Sequence, residues 1–238
     1  MLQKIVRVFH LGTKKPGAGL AVHCDAIESN RQEFFHDIIE CLIAALEAKD
    51  SYTCGHSSRV ADISLDLAIA LDLKGADLEN VHIAAHLHDI GKMGVSENIL
   101  NKPGKLLFHE WAQIQAHPAI GYNVLRKSRL LHKIATIVLY HHERWDGTGY
   151  PEGVQGNQIP LGSRIIAVAD AVDAMTTYRP YREPLSWRDC LQELQINKEK
   201  QFDPLVVEAA LELWQKWAGS RHYQETPCVM EETIKSCS

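Results

Sequence analysis

Apolar residues in this chain recur at helical spacing and nowhere sustain an alternation, which confines the fold to packed helices. Phe34, Phe35, Ile38, Ile39, Leu42, Ile43 and Leu46 fall at i, i+3 and i+4, one face of a helix ending near Lys49. Val60, Ile63, Leu67, Ala70 and Leu71 predict a second helix before Gly75. Leu78, Val81, Ala84, Ala85 and Leu87 predict a third that closes at Gly91. Further helices fit about 109–127, 130–141, 161–177, 186–195 and 204–217. No segment keeps a period of two long enough for a sheet, so the expected class is all-α. Two long stretches, 92–107 and 143–160, are predicted as non-helical, and loops of that length in a compact domain are usually functional. Residues 1–30 read as an N-terminal arm or the stub of an upstream domain, 31–218 as the main domain, and 219–238 as a tail.

The bulk numbers exclude several classes of function. A net charge of −5 over 238 residues gives no general attraction to DNA or to an anionic membrane, so phosphate binding has to be local. No apolar run approaches the roughly 20 residues that span a bilayer, and the start lacks a secretory apolar region. The expected location is cytoplasmic. Six cysteines lie scattered without a Cys-x-x-Cys pair, which argues for free thiols rather than a disulfide framework or a zinc ribbon. The anomaly is 13 histidines, since imidazole is both a common metal ligand and a general acid or base.

Several of these histidines stand where a metal would need them. His88 and Asp89 adjoin near the end of the third helix after an apolar run, and Lys92 follows at i+3 and i+4 on their face. A carboxylate beside a core needs a cation or donors. His56, His117, His141, His142 and Asp170 are further candidate ligands at helix ends, at turns or in an apolar helix. His117 precedes Pro118 and so marks a helix boundary. Asp170 lies within Ile165 to Val172, where an unpaired carboxylate is costly, and a cap or a pairing with Arg164 or Arg179 would also satisfy it. Five imidazoles and two carboxylates suit two borderline ions such as iron, manganese or zinc and argue against calcium. Any one of these histidines alone is more often a satisfied core residue. Their joint occurrence on several helices points to a metal site in the core of a bundle.

The motifs then align with a known family. Lys49-Asp50-x-Tyr52-Thr53-x-x-His56, His88-Asp89-Ile90-Gly91-Lys92, His117-Pro118, His141-His142-Glu143-Arg144-Trp145-Asp146-Gly147-x-Gly149-Tyr150-Pro151 and Asp170-x-x-Asp173-Ala174-Met175-Thr176 resemble the HD-GYP phosphodiesterases. Arg179-Pro180-Tyr181-Arg182 and Gln201-Phe202-Asp203-Pro204 extend the match over about residues 40–215. The resemblance implies the helical bundle of the HD superfamily and hydrolysis of cyclic di-GMP to linear pGpG, and on to GMP, by a metal-activated hydroxide. It implies His56, His88, Asp89 and Asp170 around one divalent ion, iron or manganese. Asp89 would bridge to a second ion held by His117, His141 and His142. Asp89 and Lys92 would be catalytic, and Tyr150, Asp173, Arg179 and Arg182 would contact the substrate. Some relatives bind a third metal through a glutamate where Tyr52 stands here, and a neutral phenol is a poor substitute, so two ions are expected.

A second departure lies at Ile196 to Lys200, where relatives tend to carry a small, glycine-containing run. Trp145 on the long loop has two readings, a contact to base or ribose and a buried anchor for the loop. Lys92 likewise has the plainer reading of a helix-end lysine facing the dipole. Other functions in view are a catalytically idle cyclic-dinucleotide sensor and an HD-type hydrolase of cyclic GMP-AMP or another nucleotide. An upstream regulatory domain or a homodimer would supply the input.

Overall fold

Helix boundaries here are set by local chemistry at a few residues. Proline fits the first turn of a helix but cannot continue the one before it. His117-Pro118 therefore divides the expected helix 109–127 at Ala116 into two helices, Phe108–Gln115 and His117–Leu125. Ser186 starts another by accepting a hydrogen bond from the Asp189 amide, and Asp203 starts the last by accepting from Leu205 just ahead of Pro204.

The computed structural model describes residue 34 and residues 37–49, 55–178 and 183–219. Among these the elements are α1 (37–49), α2 (His56–Ala70), α3 (Gly75–Leu87), α4 (Glu97–Leu100), α5 (Phe108–Gln115), α6 (His117–Leu125), α7 (His132–Leu139), α8 (Leu161–Thr176), α9 (Trp187–Ile196) and α10 (Pro204–Ala218). Short 3-10 turns lie at Ile90–Gly94, Arg129–Leu131 and Gly156–Gln158. No strand occurs among the described residues, only an isolated bridge from Lys198 to Phe202. The all-α expectation holds.

Two boundaries differ from those expected. The third helix closes at Leu87 rather than Gly91, and Asp89 leaves the helical region to begin the turn Ile90–Gly94. The stretch 92–107 is not wholly irregular, since α4 lies within it. The N-terminal arm over 1–30 and nearly all of the tail lie outside the described residues.

The chain divides into two units, Met1–Leu42 and Ile43–Ser238. In the second, α2 packs on α3 and α8, α3 on α7, and α6 on both α7 and the turn Ile90–Gly94. Val60, Ile63 and Leu67 of α2 meet a core completed by Ile165, Ile166, Val168 and Val172 of α8. Ala61, Ala68, Ala84, Ala85 and Ala169 are fully buried. Small side chains at helix contacts let the axes approach, which brings the ligand-bearing ends of α2, α3, α7 and α8 together. The closest approach is backbone on backbone: a Cβ on Gly91 would sit 1.8 Å from the His117 carbonyl oxygen. Glycine at this position is what allows the His88-Asp89 turn to lie against the start of α6.

No helix among the described residues is long and apolar enough to cross a membrane.

Candidate metal centre

Three of the histidines are oriented by an unmet need of the helix that precedes them. The last carbonyls of a helix have no intrahelical partner. His88 Nδ1 lies 2.7 Å from the carbonyl oxygen of Ala85, His117 Nδ1 lies 2.7 Å from that of Ile114, and His141 Nδ1 lies 2.6 Å from that of Val138. These oxygens belong to the final turns of α3, α5 and α7. A carbonyl only accepts, so in each case Nδ1–H donates and the neutral ring presents a bare Nε2. One contact at i−3 caps the helix, sets the tautomer and aims the other nitrogen inward.

The inward nitrogens converge. His117 Nε2 and His141 Nε2 are 3.2 Å apart, and His56 Nε2 and His88 Nε2 are 3.3 Å apart. In the His117–His141 pair both Nδ1 atoms donate to carbonyls, and two bare lone pairs at such a distance repel unless a cation lies between them. Burial holds His117 and His141 below the ordinary imidazole range, and it lowers His142 to about 4, so these rings are neutral ligands at pH 7. His117, His141 and His142 form one group whose donor atoms lie within 4.8 Å of one another, and His56, His88 and Asp170 form a second. Neutral nitrogens facing carboxylates in a buried site fit divalent metal ions.

Asp89 stands between the two groups. Its Oδ1 is 3.3 Å from His117 Nε2, while its Oδ2 is 3.5 Å from His88 Nε2 and 3.8 Å from His56 Nε2. Lys92 Nζ contacts the same Oδ2 at 2.7 Å. Burial opposes the Asp89 charge, but Lys92, His88, His117 and His56 hold the carboxyl well below the usual range. The i+3 spacing read from the sequence thus brings Lys92 onto the carboxylate itself. Asp170 Oδ1 lies 3.5 Å from His56 Nε2. Arg164, considered as its alternative partner, pairs with Asp203.

Asp173 was expected to touch substrate, but its side chain is only 1% exposed and lies behind the ligands. It accepts from His56 Nδ1 at 2.7 Å and from Arg59 Nε at 2.5 Å, and Thr177 Oγ1 donates to it at 3.1 Å. Burial raises its pKa, and the bonds to His56 and Arg59 outweigh this, bringing it to about 2. Burial also disfavours a charge on His56, yet Asp173, Asp170 and Asp89 together raise the His56 pKa. The same field favours any cation at His56 Nε2.

The loop after α7 closes over this centre. The Tyr150 ring lies 5.0 Å from that of His142 at an interplanar angle of 34°, and the Tyr150 amide donates to the His142 carbonyl at 3.3 Å. Burial, then Asp170 and Asp89, raise the Tyr150 pKa, so the phenol keeps its proton. Trp145 is an anchor: its amide donates to Gln201 at 3.1 Å and Arg164 stacks over its ring at 5.6 Å.

Comparison with known proteins decides the family. The sequence profile of the HD domain family matches residues 40–206, most of the chain. The chain belongs to the HD domain family. A cyclic di-GMP phosphodiesterase of Thermotoga maritima is 36% identical over 216 residues, covering 87% of this chain and 59% of the relative. A 3′3′-cGAMP-specific phosphodiesterase 3 of Vibrio cholerae is 43% identical over 170 residues, covering 70% of this chain and 37% of the relative. This HD domain therefore spans about two fifths to three fifths of the length of these relatives. The solved structure of a V. cholerae cyclic GMP-AMP phosphodiesterase aligns with a TM-score of 0.61 at 22% identity, over 79% of this chain and 51% of that one. An HDG"Y"P protein from Bdellovibrio bacteriovorus aligns with a TM-score of 0.55 at 20% identity, over 67% and 51%. At these identities the structural likeness speaks for the fold.

Within this HD domain, then, the expected ligands His56, His88, Asp89, His117, His141, His142 and Asp170 all face one centre, with Lys92 at its edge. Arg179, Arg182 and Tyr52 lie outside the described residues. Sequence reasoning missed Arg59. Its signal was a cation one turn after His56 on α2, opposite a second acid in the apolar helix α8.

Proposed function

We propose that this HD domain is a metal-dependent phosphodiesterase that linearises cyclic di-GMP to pGpG and cleaves it further to GMP. The observation that carries this reading is the Asp89 carboxylate, with one oxygen toward each histidine group and Lys92 at 2.7 Å. His56, His88 and Asp170 would hold one divalent ion and His117, His141 and His142 another, with Asp89 shared; iron or manganese suits this mixed nitrogen and oxygen set. Two such ions supply an activated water and neutralise charge on a phosphate.

The chain's own residues do the rest. Asp89, kept ionised by its surroundings, orients the attacking water in line with the leaving 3′-oxygen. As the phosphorus–oxygen bond breaks, the Lys92 ammonium stabilises the charge on that oxygen and passes it a proton. Asp173, held by Arg59, keeps the His56 ring in place and positions rather than binds. Tyr150 roofs the site and contacts the nucleotide, and Arg179 and Arg182 supply guanidinium forks for phosphate or guanine. A cytoplasmic location agrees with free thiols: Cys41 and Cys190 are unbridged, and burial pushes the Cys190 thiol up to about 12.

The test is purification with elemental analysis followed by a chromatographic assay with Mn²⁺ or Fe²⁺. Linearisation of cyclic di-GMP is expected, with a loss of at least about a hundredfold in His88→Ala and Asp89→Asn. Undiminished turnover after chelation would sink the reading. Cyclic GMP-AMP belongs in the same assay, because the 43% identical relative is named for that substrate. Preferential hydrolysis of it would replace cyclic di-GMP as the substrate and leave the chemistry unchanged.

A further inference from the structure

Glu143 follows the ligand pair His141-His142 and is only 3% exposed. Its Oε1 accepts the amides of Glu152 at 2.7 Å and Gly153 at 2.9 Å. Pro151 has no N–H, so these are the first amides beyond Tyr150 that a side chain could grip. The loop between is drawn tight against its own start. A Cβ on Gly149 would fall 2.4 Å from the Arg144 nitrogen and 2.6 Å from the Glu143 Cα. The Tyr150 ring in turn lies on His142. Glu143 therefore ties the backbone just after the metal ligands to the backbone just after Tyr150. Its Oε2 is buried with no hydrogen-bond partner among the described residues. A purely structural acceptor at that depth would satisfy both oxygens or carry one, because an orphaned buried oxygen is costly.

We propose that Glu143 is a positioning residue that pins the Gly149-Tyr150-Pro151 loop over the metal centre and so sets the pose of Tyr150 against substrate. This rests on the phosphodiesterase reading above. Glu143 supplies no ligand and moves no proton. Removing it frees the loop while leaving the helix-capped histidines, whose orientation comes from Ala85, Ile114 and Val138, unaffected.

The experiment compares Glu143→Ala and Glu143→Gln with the unmodified chain, metal-loaded. Three quantities are read: hydrogen exchange of the amides over 148–156, metal content, and KM and kcat for cyclic di-GMP. Glu143→Ala should exchange about tenfold faster at Glu152 and Gly153, keep its metal content, and raise KM about tenfold with kcat changed less than about threefold. Glu143→Gln retains an acceptor oxygen and should stay within about threefold of the unmodified chain in all three. Unchanged exchange in Glu143→Ala overturns the proposal, as does metal loss in step with kcat. Should Glu143→Ala not fold, Glu143→Asp, one methylene short of the two amides, must show the same rise in KM, and unmodified kinetics there refute the pin. A chain that hydrolyses no cyclic dinucleotide at all sinks the phosphodiesterase reading alone, since exchange still judges Glu143.

Discussion

Asp170 and Asp173 show where a sequence stops informing at the scale of a residue. They are three apart in one apolar helix, so spacing puts both on one face of α8. Only the arrangement of α2 against that face separates them: Asp170 Oδ1 reaches His56 Nε2, and Asp173 takes His56 Nδ1 from behind. The structure thus places Asp173, expected at the substrate, in a buried contact 2.7 Å from His56 Nδ1. Asp173→Asn keeps the shape and removes the charge that raises the His56 pKa. Its affinity for the metal should fall about 10–100-fold, measured by competition with a chelator. An affinity equal to that of the unmodified chain would show that the carboxylate does not tune the ligand.

At the scale of an element, caps explain both what was legible and what was not. Pro118 announced its helix boundary because a fixed φ and a missing N–H act locally. Asp203 stands just before Pro204 and caps the last helix, its Oδ1 accepting the Leu205 amide at 2.8 Å. Its other oxygen binds Arg164 at 2.5 Å, from a helix 39 residues away in sequence, and no local signal could reveal that. Arg164 also stacks on Trp145, so one guanidinium joins α8, the start of α10 and the loop above the metal centre. Asp203→Ala removes the cap and leaves Arg164 with a part-buried, uncompensated charge. A loss of about 3–5 kcal/mol in urea unfolding is expected. Asp203→Asn keeps the cap and should lose less. Equal losses in the two would mean that the cap contributes nothing beyond the ion pair, and an Asp203→Asn loss near zero would mean that the ion pair contributes nothing.

For the whole molecule, bare histidine nitrogens and carboxylates crowded into one buried centre make folding and metal binding interdependent. Metal binds the folded centre and not the dispersed ligands of the unfolded chain, so chelation should lower the melting temperature. At a metal concentration about a hundredfold above Kd, the stabilisation is about 2.7 kcal/mol, several degrees for a domain of this size. Melting curves that coincide with and without chelator would show that the donors do not close on a metal. The helical class and the candidate donors were legible in the sequence, because apolar periodicity and residue chemistry are local properties. The HD motifs carry those donors, down to the two residues His88 and Asp89. Which nitrogen of each ring faces inward, which aspartate stands behind a ligand, and that Asp89 turns one oxygen to each group were decided by tertiary structure alone. These depend on helix ends meeting across long stretches of sequence, where a capped carbonyl or a glycine at a crossing sets the angle.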